Sequence, residues 1–259
     1  PLVTLFDNAR WYIKPMEIPG TGQVLVGQAG GSVPVEEGLY VLSLNNGSLK
    51  QGERLPLPGK VNLFNFAYAD LDGDGQKEVV ALDDSFKLQV IRGGAVSWKS
   101  EERFGGTKRY LGGEPRMMPG TSRSRNPEVD GMGDRYKEIY VPSRILVTDV
   151  DHDGADDIIL NLNPSTLTTV LPRSIQYLSG TMVGLKWNGL GLEEMWRTRK
   201  IDGYVVDYQV KSQAMKLKEG EADELFIGIV LNSGTLESLT SDQSTVVIYP
   251  FEFEAPESK

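Results

Sequence analysis

The stretch "DLDGDGQKE" at residues 70–78 sets aspartates at 70, 72 and 74, glycines at 73 and 75, and a glutamate at 78. An alternating segment, "NLFNFAYA" (62–69), precedes it and "VVAL" (79–82) follows. Alternate spacing lets a tightly turned loop aim successive carboxylates at one centre, and Gly75 supplies turn geometry disfavoured for other residues. A second copy, "DVDHDGADD" at 149–157, puts Asp149, Asp151, Asp153, Gly154 and Asp157 at the matching positions 1, 3, 5, 6 and 9. Oxygen donors in this number, without nitrogen or sulfur, suit calcium. Two calcium sites are therefore expected. One comprises Asp70, Asp72, Asp74, the backbone carbonyl of Gln76, and Glu78; the other comprises Asp149, Asp151, Asp153, the carbonyl of Ala155, and Asp157.

An EF-hand loop begins the same way but requires a bidentate acid at position 12 and a helix on each side. Position 12 is Ala81 in the first copy and Leu160 in the second. The flanks "EVVAL", "RILVTD" and "DDIILNL" are β-rich. These read as calcium loops between strands.

The loops belong to a longer repeat. Second strands are expected at 23–28, 77–82, 156–162 and 223–230, and third strands at 39–44, 87–92, 182–187 and 245–251. Between third and fourth strands lie "NNGSL", "RGGAV" and "NGLGL", with Gly47, Gly94 and Gly189 placed for hairpins. Four repeated four-stranded antiparallel units with almost no helical periodicity read as propeller blades. The expected fold is all-β, one β-propeller over 1–259 with blades at about 7–58, 61–104, 107–201 and 202–253. The last unit lacks a fourth strand. Residues 1–6 could supply it and close the ring, or further blades could belong to a larger parent propeller.

The two acidic loops, each between a first and a second strand, resemble the FG-GAP or VCBS repeat family, which includes the propeller of integrin alpha subunits. The resemblance is carried by residues 64–104 and 145–201, and elsewhere only by strand pattern. It implies a β-propeller whose calcium loops lie on one face as structural sites, and no single activity. The first unit departs from the motif with "EIPGTGQ" (17–23), and the fourth with "KSQAMKLKEGEADE" (211–224), so neither is expected to hold calcium.

The 259 residues carry a net charge of −9, which argues against nucleic acid or anionic lipid as the main partner. No apolar run approaches the roughly 18 residues of a membrane span. A start at Pro1 is what a processed or excised chain would show. There is no cysteine, so disulfides, thiolate metal sites and cysteine nucleophiles are excluded. The single histidine, His152, lies within the second acidic loop at a position expected to point outward. Histidine-based zinc and Ser–His–Asp chemistry are accordingly disfavoured. Loops needing abundant calcium belong outside the cytoplasm.

Two long insertions, 112–138 and 163–180, decorate the third unit. The first carries Arg116, Arg123, Arg125, Arg135 and three methionines, residue types enriched at protein contacts. The expected function is a non-enzymatic, extracytoplasmic module for protein interaction, adhesion or assembly. The rivals are an exported enzyme acting on polysaccharide or lipid, and a structural subunit completed by another chain. The Trp and Tyr residues on strand positions are expected in packing.

Overall fold

The computed structural model describes residues 10–31, 33–45, 48–112, 139–164, 177–211, 223–231 and 243–251. Every regular element among them is a β-strand, and every strand pair is antiparallel. The first sheet runs β1 (Arg10–Ile18), β2 (Gly22–Gly30), β3 (Tyr40–Asn45), β4 (Ser48–Arg54) in chain order. The second repeats the meander with β5 (Phe66–Ala69), β6 (Glu78–Leu82), β7 (Lys87–Arg92) and β8 (Ala95–Arg103). A short ladder of β9 (Tyr110–Leu111) with β10 (Ile139–Tyr140) follows. The third sheet is β11 (Leu146–Thr148), β12 (Asp157–Leu162), β13 (Ser179–Trp187) and β14 (Leu192–Arg197), and β15 (Ile201–Asp202) pairs with the start of β13. The fourth holds β16 (Tyr204–Lys211), β17 (Asp223–Leu231) and β18 (Gln243–Phe251).

Local chemistry accounts for these boundaries. Between β7 and β8, Gly93 and Gly94 both have positive φ, at 58° and 82°. Two such residues make a turn whose twist matches that of the strands it joins. Successive side chains on a strand point to opposite faces, and β12 uses both. Ile158 and Leu160 enter the core shared with the second sheet, whereas Ile159 enters the core shared with the fourth. A third core joins the first and second sheets around Val26, Leu39, Leu63, Phe66, Ala81 and Ile91. Each sheet thus buries a face against the next one in the chain.

The first strands of the first three sheets come together. Residues of β1, β5 and β11 line a cavity of about 620 Å³, together with Arg109 and Arg144. Arg144, just ahead of β11, crosses to β16 and forks onto both carboxylate oxygens of Asp207 at 2.8 and 2.7 Å. Among the described residues the sheets remain separate hydrogen-bonded units, and no closed barrel forms.

The aromatic residues pack as the strand pattern suggests. Trp98 and Trp187 lie against the core between the second and third sheets, and Trp196 lies against the next core. Residues 1–6, Gly47 and most of both insertions (113–138 and 165–176) lie outside the described residues, as do 212–222 of the fourth-unit loop.

Candidate metal centre

Both acidic loops are corners between paired strands, one joining β5 to β6 and the other β11 to β12. No helix flanks either, which separates them from EF-hands. Their registers coincide. Ala69, just before the first loop, pairs with Glu78, and Thr148, just before the second, pairs with Asp157.

The internal hydrogen bonds coincide as well. At position 1, Asp70 accepts from the Gly75 N–H at 2.9 Å, and Asp149 accepts from the Gly154 N–H at 3.0 Å. The position 5 carboxylate accepts from the position 7 N–H, Asp74 from Gln76 at 2.7 Å and Asp153 from Ala155 at 2.9 Å. The position 9 acid reaches back to the position 2 N–H, Glu78 to Leu71 at 3.1 Å and Asp157 to Val150 at 2.9 Å. Gly75 and Gly154 take φ of 85° and 95°. Position 4 is also left-handed, Gly73 at 71° and His152 at 59°. His152 is the exception to the glycine preference there, and its ring is exposed, with Nε2 3.7 Å from Asp223.

These bonds gather the carboxylates. One oxygen each from Asp70, Asp72 and Asp74 lies within 4.8 Å of the others, and the same holds for Asp149, Asp151 and Asp153. Hydrogen bonding does not satisfy the clusters. Asp70 Oδ1, Asp151 Oδ1 and Asp157 Oδ1 are buried with no hydrogen-bond partner. Leaving a buried carboxylate oxygen unpaired is costly, and Asp157 is fully buried. Burial pushes its carboxyl up to about 6, reinforced by the charges of Asp151 and Asp153 and opposed by the Val150 N–H and Lys186. Burial likewise raises Glu78, against the Leu71 N–H and Arg92. A hard divalent cation would satisfy this donor set. Of the residues expected from the spacing, the structure clusters the aspartates at positions 1, 3 and 5 of each loop, and the position 9 acids, Glu78 and Asp157, turn back onto the loop backbone beside them. At position 7 the structure shows the N–H groups of Gln76 and Ala155 engaged with the loop acids.

Three participants were not anticipated from the sequence. Lys186 Nζ bridges Asp151 and Asp153 at 2.6 and 2.5 Å. Arg92 Nη2 bridges Asp72 and Glu78 at 2.8 and 3.2 Å. Asp156 joins the second loop to the first through bonds with Asp70. Both bases lie near the ends of third strands, "KLQVIR" and "MVGLKW", but the acid each one faces is set by ladder register, which the sequence does not show. For Asp156 no local signal existed, because its partner is 86 residues away.

Other acids line a cavity of about 520 Å³ beside the β6–β7 turn, namely Glu36, Glu37, Asp83 and Asp84. Asp83 is occupied with structure. Burial pushes its carboxyl up, but Lys99 and the N–H groups of Lys87 and Ser85 outweigh this and hold it below the usual carboxylate range. Glu37 pairs with Arg54 at 3.3 Å. Asp83 is therefore not the raised acid that protonates a leaving group.

No protein-family model matches the chain, and no curated protein sequence shows significant similarity to it. No helix among the described residues is long and apolar enough to cross a membrane.

Proposed function

We propose that the chain is a calcium-stabilised β-propeller of FG-GAP or VCBS type. In this reading it acts outside the cytoplasm as a non-enzymatic module for protein interaction or assembly. The observation that carries the calcium reading is the equivalence of the two loops in strand register and hydrogen-bond pattern, each also leaving a buried carboxylate oxygen unsatisfied, Asp70 in the first and Asp151 and Asp157 in the second. The propeller reading is supported by consecutive meander sheets packed face to face, with the first strands of three of them lining one cavity. Calcium would neutralise acids that otherwise repel, and about a tenfold excess of free ion over the dissociation constant adds roughly 1.4 kcal/mol per site.

An enzymatic role has weaker support. The one histidine lies exposed on a turn, and two acids of the separate cavity, Asp83 and Glu37, are tied to Lys99, Arg54 and the backbone. The interaction reading is tested by affinity capture from a native membrane or secreted fraction, with and without chelator. A partner retained in millimolar calcium and released by chelator is expected. Absence of any calcium-dependent partner would overturn the interaction role.

A further inference from the structure

Lys186 and Arg92 occupy corresponding places in two sheets. In the third sheet Ile158 pairs with Leu185, so one step further along the ladder Lys186 stands opposite Asp157. In the second sheet Val79 pairs with Ile91, so Arg92 stands opposite Glu78. Each base therefore faces the position 9 acid of its own loop, and each reaches the position 3 aspartate, Asp151 or Asp72. Register alone delivers a positive charge to both carboxylate clusters.

The two bases are held differently. The Arg92 guanidinium lies 4.7 Å over the ring of Trp187, a contact that anchors it from the neighbouring sheet. Lys186 has a flexible four-carbon stem, and its ammonium contacts Asp151 and Asp153. It also leaves the cluster incomplete. Asp157 is fully buried, and its Oδ1 has no partner although Lys186 stands opposite on the next strand. One ammonium thus covers two carboxylates of a four-acid corner that offers more oxygens than it can engage.

We propose that Lys186 is a tethered counter-ion for the second acidic loop. It holds the carboxylates together when calcium is scarce, and calcium must displace it. Arg92 does the same at the first loop but stays anchored on Trp187. Lys186 then sets the calcium concentration at which the second loop fills, and it keeps that corner folded below it. This inference rests on the calcium reading above and adds a competitor to it.

The test uses the full chain and calcium alone, by calorimetry at fixed ionic strength on wild type, Lys186→Met and Lys186→Arg. Lys186→Met is expected to tighten one of the two sites on the order of tenfold, as removal of an adjacent like charge should. It should also lower the thermal midpoint without calcium while matching wild type in saturating calcium. Lys186→Arg should stay near wild type in both. A direct readout of displacement is lysine acylation of the wild-type chain followed by mass spectrometry. Lys186 should react several-fold faster with calcium than without, with Lys99, paired to Asp83, as an unchanged control. Two-site uptake with Lys186→Met affinities within twofold of wild type, or Lys186 labelling indifferent to calcium, overturns the tethered counter-ion alone. No uptake by wild type overturns the calcium reading, and this inference with it.

Discussion

Asp156 and Asp70 clasp each other across two sheets. The Asp156 carboxylate accepts the Asp70 N–H at 2.8 Å, and the Asp156 N–H donates to the Asp70 carbonyl at 2.7 Å. Asp70 is position 1 of the first loop and Asp156 is position 8 of the second, so the two acidic corners form one hydrogen-bonded unit. A Cβ built on Gly73 would meet the Gly154 carbonyl oxygen at 3.4 Å, an independent sign of their proximity.

Removing that clasp should be felt at both corners. Asp156→Ala leaves the partly buried Asp70 N–H without its acceptor, at a cost of about 1–2 kcal/mol. Asp156→Asn keeps an acceptor oxygen and should cost less. Urea denaturation of the two variants against wild type checks the order, and calcium affinity of the first loop should fall in Asp156→Ala although no proposed ligand has changed.

His152 takes a left-handed backbone conformation that its counterpart Gly73 adopts without strain. His152→Gly should therefore stabilise the chain by about 0.5–1 kcal/mol, less whatever the approach to Asp223 contributes. A thermal midpoint raised by a few degrees is expected. A lowered midpoint would show that the histidine ring outweighs the relief of strain.

Leu160 lies at the centre of the core between the second and third sheets and is fully buried. Leu160→Ala should cost about 2–5 kcal/mol. Because Ile158 from the same strand enters that core and Ile159 enters the next, the loss should lower the cooperative transition of the whole chain. Calorimetric unfolding would show this as one transition moved to lower temperature.

Asp83 provides a pH-dependent contribution away from the loops. Its carboxyl lies below the usual range in the folded chain, so the unfolded chain binds the proton more readily. That contribution is present above about pH 4 and is lost as pH falls through the folded value. Lys99→Met removes the ammonium 2.5 Å from the carboxylate. The stability curve of the variant should then be flatter below about pH 4, as measured by denaturant midpoints across pH.

The strands and the clustered aspartates could be read from sequence because their signals are local. Alternation marks the edges of "NLFNFAYA", a doubly buried apolar run marks "DIILNL", and carboxylates at positions 1, 3 and 5 need only a short turn to meet. The bases came from ladder register, which couples Arg92 to Glu78 and Lys186 to Asp157 across a strand pair. A sequence shows each strand but not the step at which two strands align. The Asp70–Asp156 clasp depends on how whole sheets stack, which no local pattern encodes. The same holds for Arg144, whose fork onto Asp207 spans 63 residues.

Calorimetric titration of the intact chain with calcium near neutral pH probes the two-corner reading most directly. Two equivalents of calcium should bind, with Asp72→Asn and Asp151→Asn each removing one and leaving the other measurable. A chain that takes up no calcium at millimolar concentration, or whose uptake survives both substitutions together, would contradict it.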